Sequence, residues 1–149
     1  MVPILDKKLY TSLNSYVGGV VLHSFRYNGE AFTVELQNDF YGSDYWDRVS
    51  KSEYEPDTLD FLKRNCTPGT IFMDVGAANG AMTLLAASLG ATVFSYEPDP
   101  LMFSVTAKNV SLNPNANRRV ELINRALSAN DGELNFSKGS NSNVLTDLS

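Results

Sequence analysis

The strongest hydrophobic pattern in the chain is an apolar run over residues 70–75 that leads into a glycine-rich stretch. Asp74 interrupts this run one residue before its end. An apolar run of this length without alternation predicts a parallel strand that is covered on both faces, in the middle of a sheet. A buried carboxylate is costly without a partner, so Asp74 should point into a polar cleft or accept a hydrogen bond.

A loop and a helix follow this strand. Gly76 and Gly80 bracket the loop, where a missing Cβ atom permits positive φ and lets a ligand approach the backbone. Apolar residues then recur at helical spacing from Ala81 to Leu89. The first N–H groups of this helix should face the loop, where they suit an anionic part of a small ligand.

A second β-prone run, residues 92–96, ends at Glu97 and Pro98. The order of strand, glycine loop, helix, strand and acid predicts a right-handed βαβ unit, whose ligand lies beyond the carboxyl ends of its strands. Glu97 could then bind both hydroxyls of a ribose. A plainer alternative is that Asp74 caps a turn and Glu97 is a solvated charge. Two acids and two glycines at this spacing favour a nucleoside-type ligand.

The loop spacing bears on which nucleoside is bound. A dinucleotide site needs Gly-x-Gly-x-x-Gly, whose middle glycine lets a pyrophosphate lie on the backbone. Ala78 stands at that position, and no Lys or Arg follows the loop to bind phosphate. S-adenosylmethionine fits better, since its ribose suits Glu97, its amino group suits Asp74, and its carboxylate suits the loop N–H groups. A nicotinamide-dependent oxidoreductase and a non-catalytic nucleoside-binding module stay open as alternatives.

The chain before this unit predicts an antiparallel hairpin. Residues 20–27 and 30–36 are β-prone, and the Asn-Gly pair between them favours a tight turn. Residues 1–16 have mixed polarity and predict a loosely packed lead-in. The aromatic stretch 39–47 reads either as a lid over the cleft or as a cover for the core, and we favour the cover.

Two further helices and two further strands complete the prediction. Asp99 should cap the second of these helices, with Pro100 in its first turn. The four predicted segments are helices over residues 55–64 and 100–112, and strands over residues 120–123 and 133–136.

Charge and cysteine content narrow the classes of function. The chain of 149 residues has a formal net charge of −5, which argues against a general nucleic-acid-binding surface. Cys66 is the single cysteine, so an intrachain disulfide and a thiolate metal cluster are excluded. We interpret Cys66 as a small buried hydrophobe and the single histidine, His23, as structural. No metal site is predicted.

The distribution of apolar residues predicts no membrane partner. No window of the sequence approaches the ~20 apolar residues of a membrane span. The first ten residues lack the apolar core of a signal peptide. We therefore expect a cytoplasmic protein.

Four motifs together resemble FkbM-type methyltransferases, which belong to the class I S-adenosylmethionine-dependent group. The motifs are residues 74–80, 83–86, 96–100 and 124–128. The resemblance covers roughly residues 54–136 and implies S-adenosylmethionine as cofactor, with methyl transfer to a hydroxyl of a small-molecule acceptor such as a sugar or natural-product intermediate. Ala78 departs from the family loop, which often has Asn there followed by an aliphatic residue.

The resemblance also implies roles for residues outside the loop. Class I methyltransferases place residues at the exit of the third strand against the adenine ring, which points to Ala126 and, less directly, to Asn124. An acid similar to Glu55 can lie near the cleft. No residue stands out as the catalytic base. The expected cofactor-binding residues are Asp74, Gly76, Ala77, Asn79, Gly80, Glu97, Pro98 and Ala126.

The predicted fold is α/β, a partial Rossmann-like class I methyltransferase sheet with parallel central strands, preceded by an N-terminal β-hairpin. We divide the chain into the lead-in, hairpin and aromatic stretch (1–53), the cofactor-binding core (54–136) and a polar tail (137–149). The usual strand order of this class would leave residues 71–75 beside a fourth strand that this sequence does not contain. We expect either a truncated sequence, and so an inactive fragment, or self-association through that exposed sheet edge.

Overall fold

The computed structural model describes residues 12–17, 19–37, 41–129, 134–138 and 143–147. Its strands are β1 (Ser12–Val17), β2 (Val20–Tyr27), β3 (Glu30–Glu35), β4 (Ile71–Val75), β5 (Thr92–Tyr96), β6 (Val120–Ile123), β7 (Leu134–Lys138) and β8 (Asn143–Asp147). Its helices are α1 (Ser43–Ser50), α2 (Pro56–Asn65), α3 (Ala81–Ser88), α4 (Pro100–Ser111) and α5 (Pro114–Asn117).

The N-terminal sheet is an antiparallel meander in the order β1-β2-β3. Asn28 and Gly29 adopt φ of +49° and +85°, which confirms the predicted tight turn between β2 and β3. The lead-in was predicted to be loosely packed, yet its end pairs with β2 as β1. That pairing satisfies backbone groups that would otherwise lie open along β2. Residues 1–11 lie outside the described part of the chain.

A parallel sheet in the order β4-β5-β6 confirms the predicted α/β core. β4 pairs with β5 from Ile71↔Thr92 to Val75↔Tyr96, and β5 pairs with β6 from Val93↔Val120. α3 and α4 make the two crossovers. Asp99 caps α4 as predicted, because its Oδ1 accepts a hydrogen bond from Leu101 N over 2.8 Å. Because β4 and β5 are parallel and paired up to Val75↔Tyr96, their carboxyl ends lie side by side.

The prediction that β4 is covered on both faces was wrong for the described chain, whereas the expectation that residues 71–75 form an exposed sheet edge is confirmed there. β4 lies at the sheet edge. Ile71, Met73 and Val75 alternate along one of its faces and are 70%, 52% and 60% exposed. On the other face, Phe72 packs against the core. An apolar run shows that a strand favours burial, but it does not show which element supplies the cover.

One cluster of buried side chains joins the two sheets. Phe25 of β2 stacks on Phe32 and on Trp46, with ring centroids 5.3 Å and 5.4 Å apart. The same cluster includes Leu84 of α3 and Val93 of β5. Trp46 is fully buried, which confirms the core-cover interpretation for this part of the aromatic stretch. Residues 39 and 40 of that stretch are not among the described residues.

His23 and Cys66 are both buried. Nδ1 of His23 lies 2.6 Å from Oδ1 of Asn14, and Nε2 lies 3.3 Å from Oδ1 of Asp47. These contacts link β2 to β1 and to α1, as expected for a structural histidine. Cys66 directly follows α2, and burial raises the pKa of its thiol.

The C-terminal region differs from its prediction. The short strand expected at residues 133–136 is β7, and it pairs antiparallel with β8. β8 lies in the stretch that we predicted as a polar tail. Its central residues Val144, Leu145 and Thr146 favour strands, and the surrounding Ser and Asn residues masked that signal. The residues Asn130, Asp131 and Gly132 also predict a turn from their sequence, and they lie outside the described part of the chain.

Candidate functional site

The two predicted acids lie at adjacent strand ends. Asp74 is 9% exposed and Glu97 is 6% exposed. Oδ2 of Asp74 accepts a hydrogen bond of 2.5 Å from the hydroxyl of Thr83, which confirms the predicted donor. Burial raises the pKa of Asp74, and the nearby Glu97 raises it further, against the hydrogen bonds from Thr83. The two carboxyl groups are therefore close enough to influence each other.

Glu97 is held by two backbone amides. Its Oε2 accepts from Ala78 N over 2.8 Å, and its Oε1 accepts from Asp99 N over 2.9 Å. The alternative that Glu97 is a solvated charge was therefore wrong. An ionised carboxylate has about four acceptor positions, so two positions stay available for the hydroxyls of a ligand.

Most backbone N–H groups of the loop after β4 already donate hydrogen bonds within the protein. Five backbone N–H groups between residues 76 and 81 donate hydrogen bonds within the protein. Those of Gly76 and Ala77 both donate to Tyr96 O, and that of Ala78 donates to Glu97. Those of Gly80 and Ala81 donate to Ala77 O and to Asn79 Oδ1. We predicted that loop and helix N–H groups would bind an anionic ligand group. These five cannot do so without giving up a bond, because a tight turn satisfies its own amides.

Asn79 supplies a different donor. Its side chain is buried, and its Oδ1 accepts from Ala81 N over 3.1 Å and from Tyr45 OH over 3.4 Å. Because Ala81 N–H can only donate, the oxygen of the Asn79 amide must face it. The opposite atom, Nδ2, is buried and has no acceptor among the described residues. A buried donor without an acceptor is costly, and a ligand oxygen would satisfy it.

The two loop glycines have different surroundings. Gly76 has φ +81° and open space where a Cβ atom would lie, as expected for a position that a ligand approaches. A Cβ atom on Gly80 would lie 3.0 Å from Cγ2 of Thr106 in α4. The hydroxyl of Thr106 donates to Ala78 O over 2.6 Å. Gly80 therefore permits close packing of α4 on the loop.

The exit of β6 lies next to the end of β5. Nδ2 of Asn124 donates to Glu97 O over 2.7 Å and approaches Pro98 O at 3.3 Å. Ala126 is half-buried two residues further along the chain. The structure thus brings Pro98 and Asn124 to the acids, and a cofactor contact for Ala126 stays a prediction.

Three tyrosines form an aromatic cluster beside the loop, and the lid alternative for residues 39–47 had placed two of them, Tyr41 and Tyr45, near the cleft. The ring of Tyr45 lies 5.0 Å from that of Tyr41 and 4.7 Å from that of Tyr54. Burial raises the pKa of Tyr45, so its hydroxyl stays neutral and donates to Asn79. Burial also raises the pKa of Tyr54, and the neighbouring carboxyl group of Glu55 raises it further. The density of aromatic residues was the only signal in the sequence.

A cavity of about 570 Å³ lies away from these residues, between β3, the end of α3 and α5. Its lining residues include Thr33, Ser88, Asn113 and Arg119. None of the predicted cofactor-binding residues lines it. It is therefore distinct from the site at the ends of β4 and β5.

The described residues lack two kinds of feature. No group of three or more His, Cys, Asp or Glu side chains is arranged to hold a metal ion there. No helix in the same part of the chain is long and apolar enough to cross a membrane.

Comparisons with known proteins bear on the fold. No family model matches the chain. A crystal structure of an S-adenosylmethionine-dependent methyltransferase from Agrobacterium tumefaciens superposes with a TM-score of 0.52 at 14% identity, over 74% of this chain and 33% of that one. The chain has the Rossmann-like fold of these methyltransferases. The FkbM subtype is not confirmed.

Two further similarities concern a curated O-methyltransferase and a protein solved in complex with tRNA. The mitochondrial ubiquinone biosynthesis O-methyltransferase of Schizosaccharomyces pombe is 36% identical over 63 residues, which are 42% of this chain and 23% of that protein. A complex of aTrm5 with tRNALeu matches with a TM-score of 0.49 at 14% identity, over 70% of this chain and 28% of that one. The chain thus spans about a quarter of the curated relative. Neither a cytoplasmic location nor the absence of a nucleic-acid partner is confirmed.

Proposed function

We propose that this chain forms the cofactor-binding unit of an S-adenosylmethionine-dependent methyltransferase. The observation that carries the proposal is the hydrogen bond of 2.8 Å from Ala78 N to Oε2 of Glu97. A dinucleotide fold presents the corresponding part of its loop to a pyrophosphate. In this chain the carboxylate of Glu97 already accepts a hydrogen bond from the Ala78 amide. A pyrophosphate at the same amide would lie close to that carboxylate and be repelled by it. A nucleoside ligand without phosphate is therefore favoured over NAD.

The polar groups of the site match the chemical groups of this cofactor. The free acceptor positions of Glu97 suit the two ribose hydroxyls. The buried carboxyl of Asp74 gains from a cationic partner, which the amino group of the cofactor provides. Nδ2 of Asn79 is a donor that has no acceptor in the described part of the chain, and it suits the cofactor carboxylate. This orphaned donor is the feature that a bound ligand would explain.

The remaining predicted residues would shape the site. Gly76 leaves open space at the carboxyl end of β4. Ala77 and Gly80 hold the turn, since Gly80 N donates to Ala77 O over 2.7 Å. Pro98 and Ala126 would lie along the adenine, at the exits of β5 and β6. These five positions contribute mainly shape.

The chemistry of transfer belongs largely to the cofactor. S-adenosylmethionine supplies a methyl group on a positively charged sulfur. The chain holds that group in place and orients it toward the acceptor, and positioning alone accounts for much of the acceleration in such reactions. A hydroxyl acceptor also needs a general base, and we assign that role to no described residue.

We further propose that the acceptor is a small molecule with a hydroxyl group, such as a sugar or a natural-product intermediate. The FkbM-like motifs support this class of acceptor. The name of the curated relative, an O-methyltransferase, supports transfer to oxygen. A cytoplasmic location, with neither a nucleic-acid nor a membrane partner, belongs to the same proposal.

A second candidate function is a non-catalytic module that binds a nucleoside cofactor. The exposed face of β4, with Ile71, Met73 and Val75 open, favours it. An apolar sheet face of this kind marks a surface that contacts another polypeptide. In this case the chain would bind S-adenosylmethionine and transfer no methyl group by itself.

Calorimetric titration distinguishes these functions. We expect the chain to bind S-adenosylmethionine and S-adenosylhomocysteine, and to bind NAD at least about tenfold more weakly because of the repulsion at Ala78. NAD binding without S-adenosylmethionine binding would overturn the proposal. Incubation with labelled S-adenosylmethionine and a panel of hydroxyl acceptors then separates the two candidates, because only a methyltransferase labels an acceptor.

A further inference from the structure

Two buried side chains of α4 hold consecutive carbonyl groups of the loop after β4. The hydroxyl of Thr106 donates to Ala78 O over 2.6 Å, and Nδ2 of Asn109 donates to Asn79 O over 2.9 Å. Both side chains are fully buried. A fixed carbonyl also fixes the N–H of the same peptide group. α4 therefore determines how the peptide groups of the loop are oriented.

Asn109 has a second partner outside the cofactor-binding core. Its Oδ1 accepts a hydrogen bond of 2.8 Å from the backbone N–H of Glu35, at the outer edge of β3. A backbone carbonyl can only accept and a backbone N–H can only donate, so these two partners define the orientation of the amide. One buried side chain thus connects the N-terminal sheet to the loop.

We propose that Asn109 is a positioning residue of the cofactor site, through which the N-terminal sheet sets the shape of the loop after β4. The proposal rests on the proposed function, since it concerns the same site. The N-terminal sheet is then part of the binding machinery, and correct docking of β3 is a condition for cofactor affinity. Asn79, which carries the orphaned donor, is the residue whose geometry depends on this connection.

The alternative is that Asn109 only caps the edge of β3. Asn113, one helical turn later, provides the matched comparison. Its Oδ1 accepts from Thr33 N over 3.0 Å, and its Nδ2 donates to Thr33 O and to the backbone carbonyl of Asn109, each over 2.7 Å. It is 7% exposed and caps the same strand. None of its hydrogen bonds reaches the loop.

The test compares Asn109→Ala with Asn113→Ala in the full chain, by calorimetric titration with S-adenosylhomocysteine. Both variants lose bonds to β3, so both should be less stable than the wild type. We expect the dissociation constant of Asn109→Ala to rise about tenfold, the effect of losing roughly one hydrogen bond that positions the loop. That of Asn113→Ala should change less than about twofold. Equal dissociation constants for the two variants would overturn the positioning role.

A measurement on the wild type keeps the proposal testable if Asn109→Ala does not fold. Amide hydrogen exchange, followed by NMR, should slow at Glu35 N–H on addition of S-adenosylhomocysteine, and by several-fold more than at Thr33 N–H. Equal slowing at both amides would contradict the proposal. If the wild type binds neither S-adenosylmethionine nor S-adenosylhomocysteine, the proposed function itself fails. If it binds and the variants do not differ, only the role of Asn109 fails.

Discussion

The backbone N–H of Ala78 donates a hydrogen bond to Oε2 of Glu97 across 2.8 Å. This contact connects the loop after β4 to the residue that directly follows β5. Ala78 lies in the left-handed region, with φ +50°, which costs a residue with a Cβ atom about 1–2 kcal/mol. The loop geometry is thus maintained against a local conformational cost.

Replacing Ala78 by glycine should raise the free energy of unfolding by about 1 kcal/mol, because glycine adopts this φ without the steric cost. Urea denaturation measures the change. The control is Ala107→Gly in α4, where the backbone is helical and the same substitution should lower stability by about 1 kcal/mol. If both variants were equally destabilised, the left-handed conformation of Ala78 would be wrong.

Gly80→Ala should lower the free energy of unfolding by about 2 kcal/mol. The new Cβ atom would lie 3.0 Å from Cγ2 of Thr106, and φ of +80° is unfavourable for alanine. Thr106→Ser removes that methyl group and keeps the hydroxyl that bonds Ala78 O. The double variant should therefore be more stable than the sum of the two single changes implies. Strict additivity would show that the two side chains do not meet.

Asp74→Asn tests the burial of the carboxyl. The pKa of Asp74 is raised from 3.8, so the folded state binds this proton more tightly than the unfolded state does. The resulting stability is present below about pH 3.8 and is lost as the pH rises through the folded-state pKa. Asn cannot ionise, so the variant should be more stable than the wild type at pH 7.

Urea denaturation at pH 7 and near pH 3.5 provides the measurement for Asp74. The stability advantage of Asp74→Asn should be present at pH 7 and should shrink at the lower pH, where the wild-type carboxyl is protonated. The variant should also bind S-adenosylmethionine more weakly, by about 1–3 kcal/mol, because a charged hydrogen bond is lost. A constant stability difference across this range would show that Asp74 titrates normally.

His23 should make the fold sensitive to mild acid. Burial lowers its pKa from 6.5, and Asp47 opposes that effect. The folded state therefore binds the proton less tightly than the unfolded state, so stability is full above about pH 6.5 and is lost as the pH falls toward the folded-state pKa. Thermal melts between pH 7.5 and 5 should show a steeper fall for the wild type than for His23→Gln. Parallel curves for the two proteins would contradict the burial of a neutral imidazole.

The parts of the fold that sequence predicted depend on local signals. β4, β5 and β6 are marked by short β-prone runs, and α4 by a capping Asp and a proline in its first turn. Glu97 was identified because an acid directly after the second strand of a βαβ unit lies at the carboxyl ends of the strands, where the ligand binds. In each case neighbouring residues carry the information.

The contacts that sequence missed join residues far apart in the chain. Asn109 is 30 residues from Asn79 and 74 residues from Glu35. A helix is predicted from the spacing of its apolar residues, so a polar residue on that helix is assigned to the exposed face even when it is buried. The uncovered face of β4 escaped prediction for a related reason, since an apolar run does not identify its partner.

The affinity of the wild type and of Glu97→Gln for S-adenosylmethionine tests the central claim most directly, with both proteins first shown to be folded by circular dichroism. We predict that the wild type binds and that Glu97→Gln binds about 2 kcal/mol more weakly, or roughly 30-fold, because the charged acceptor for the ribose is lost. Glu121→Gln, on the exposed face of β6, should leave the affinity unchanged. Wild-type affinity in Glu97→Gln, or no binding by the wild type, would contradict the assignment of this site.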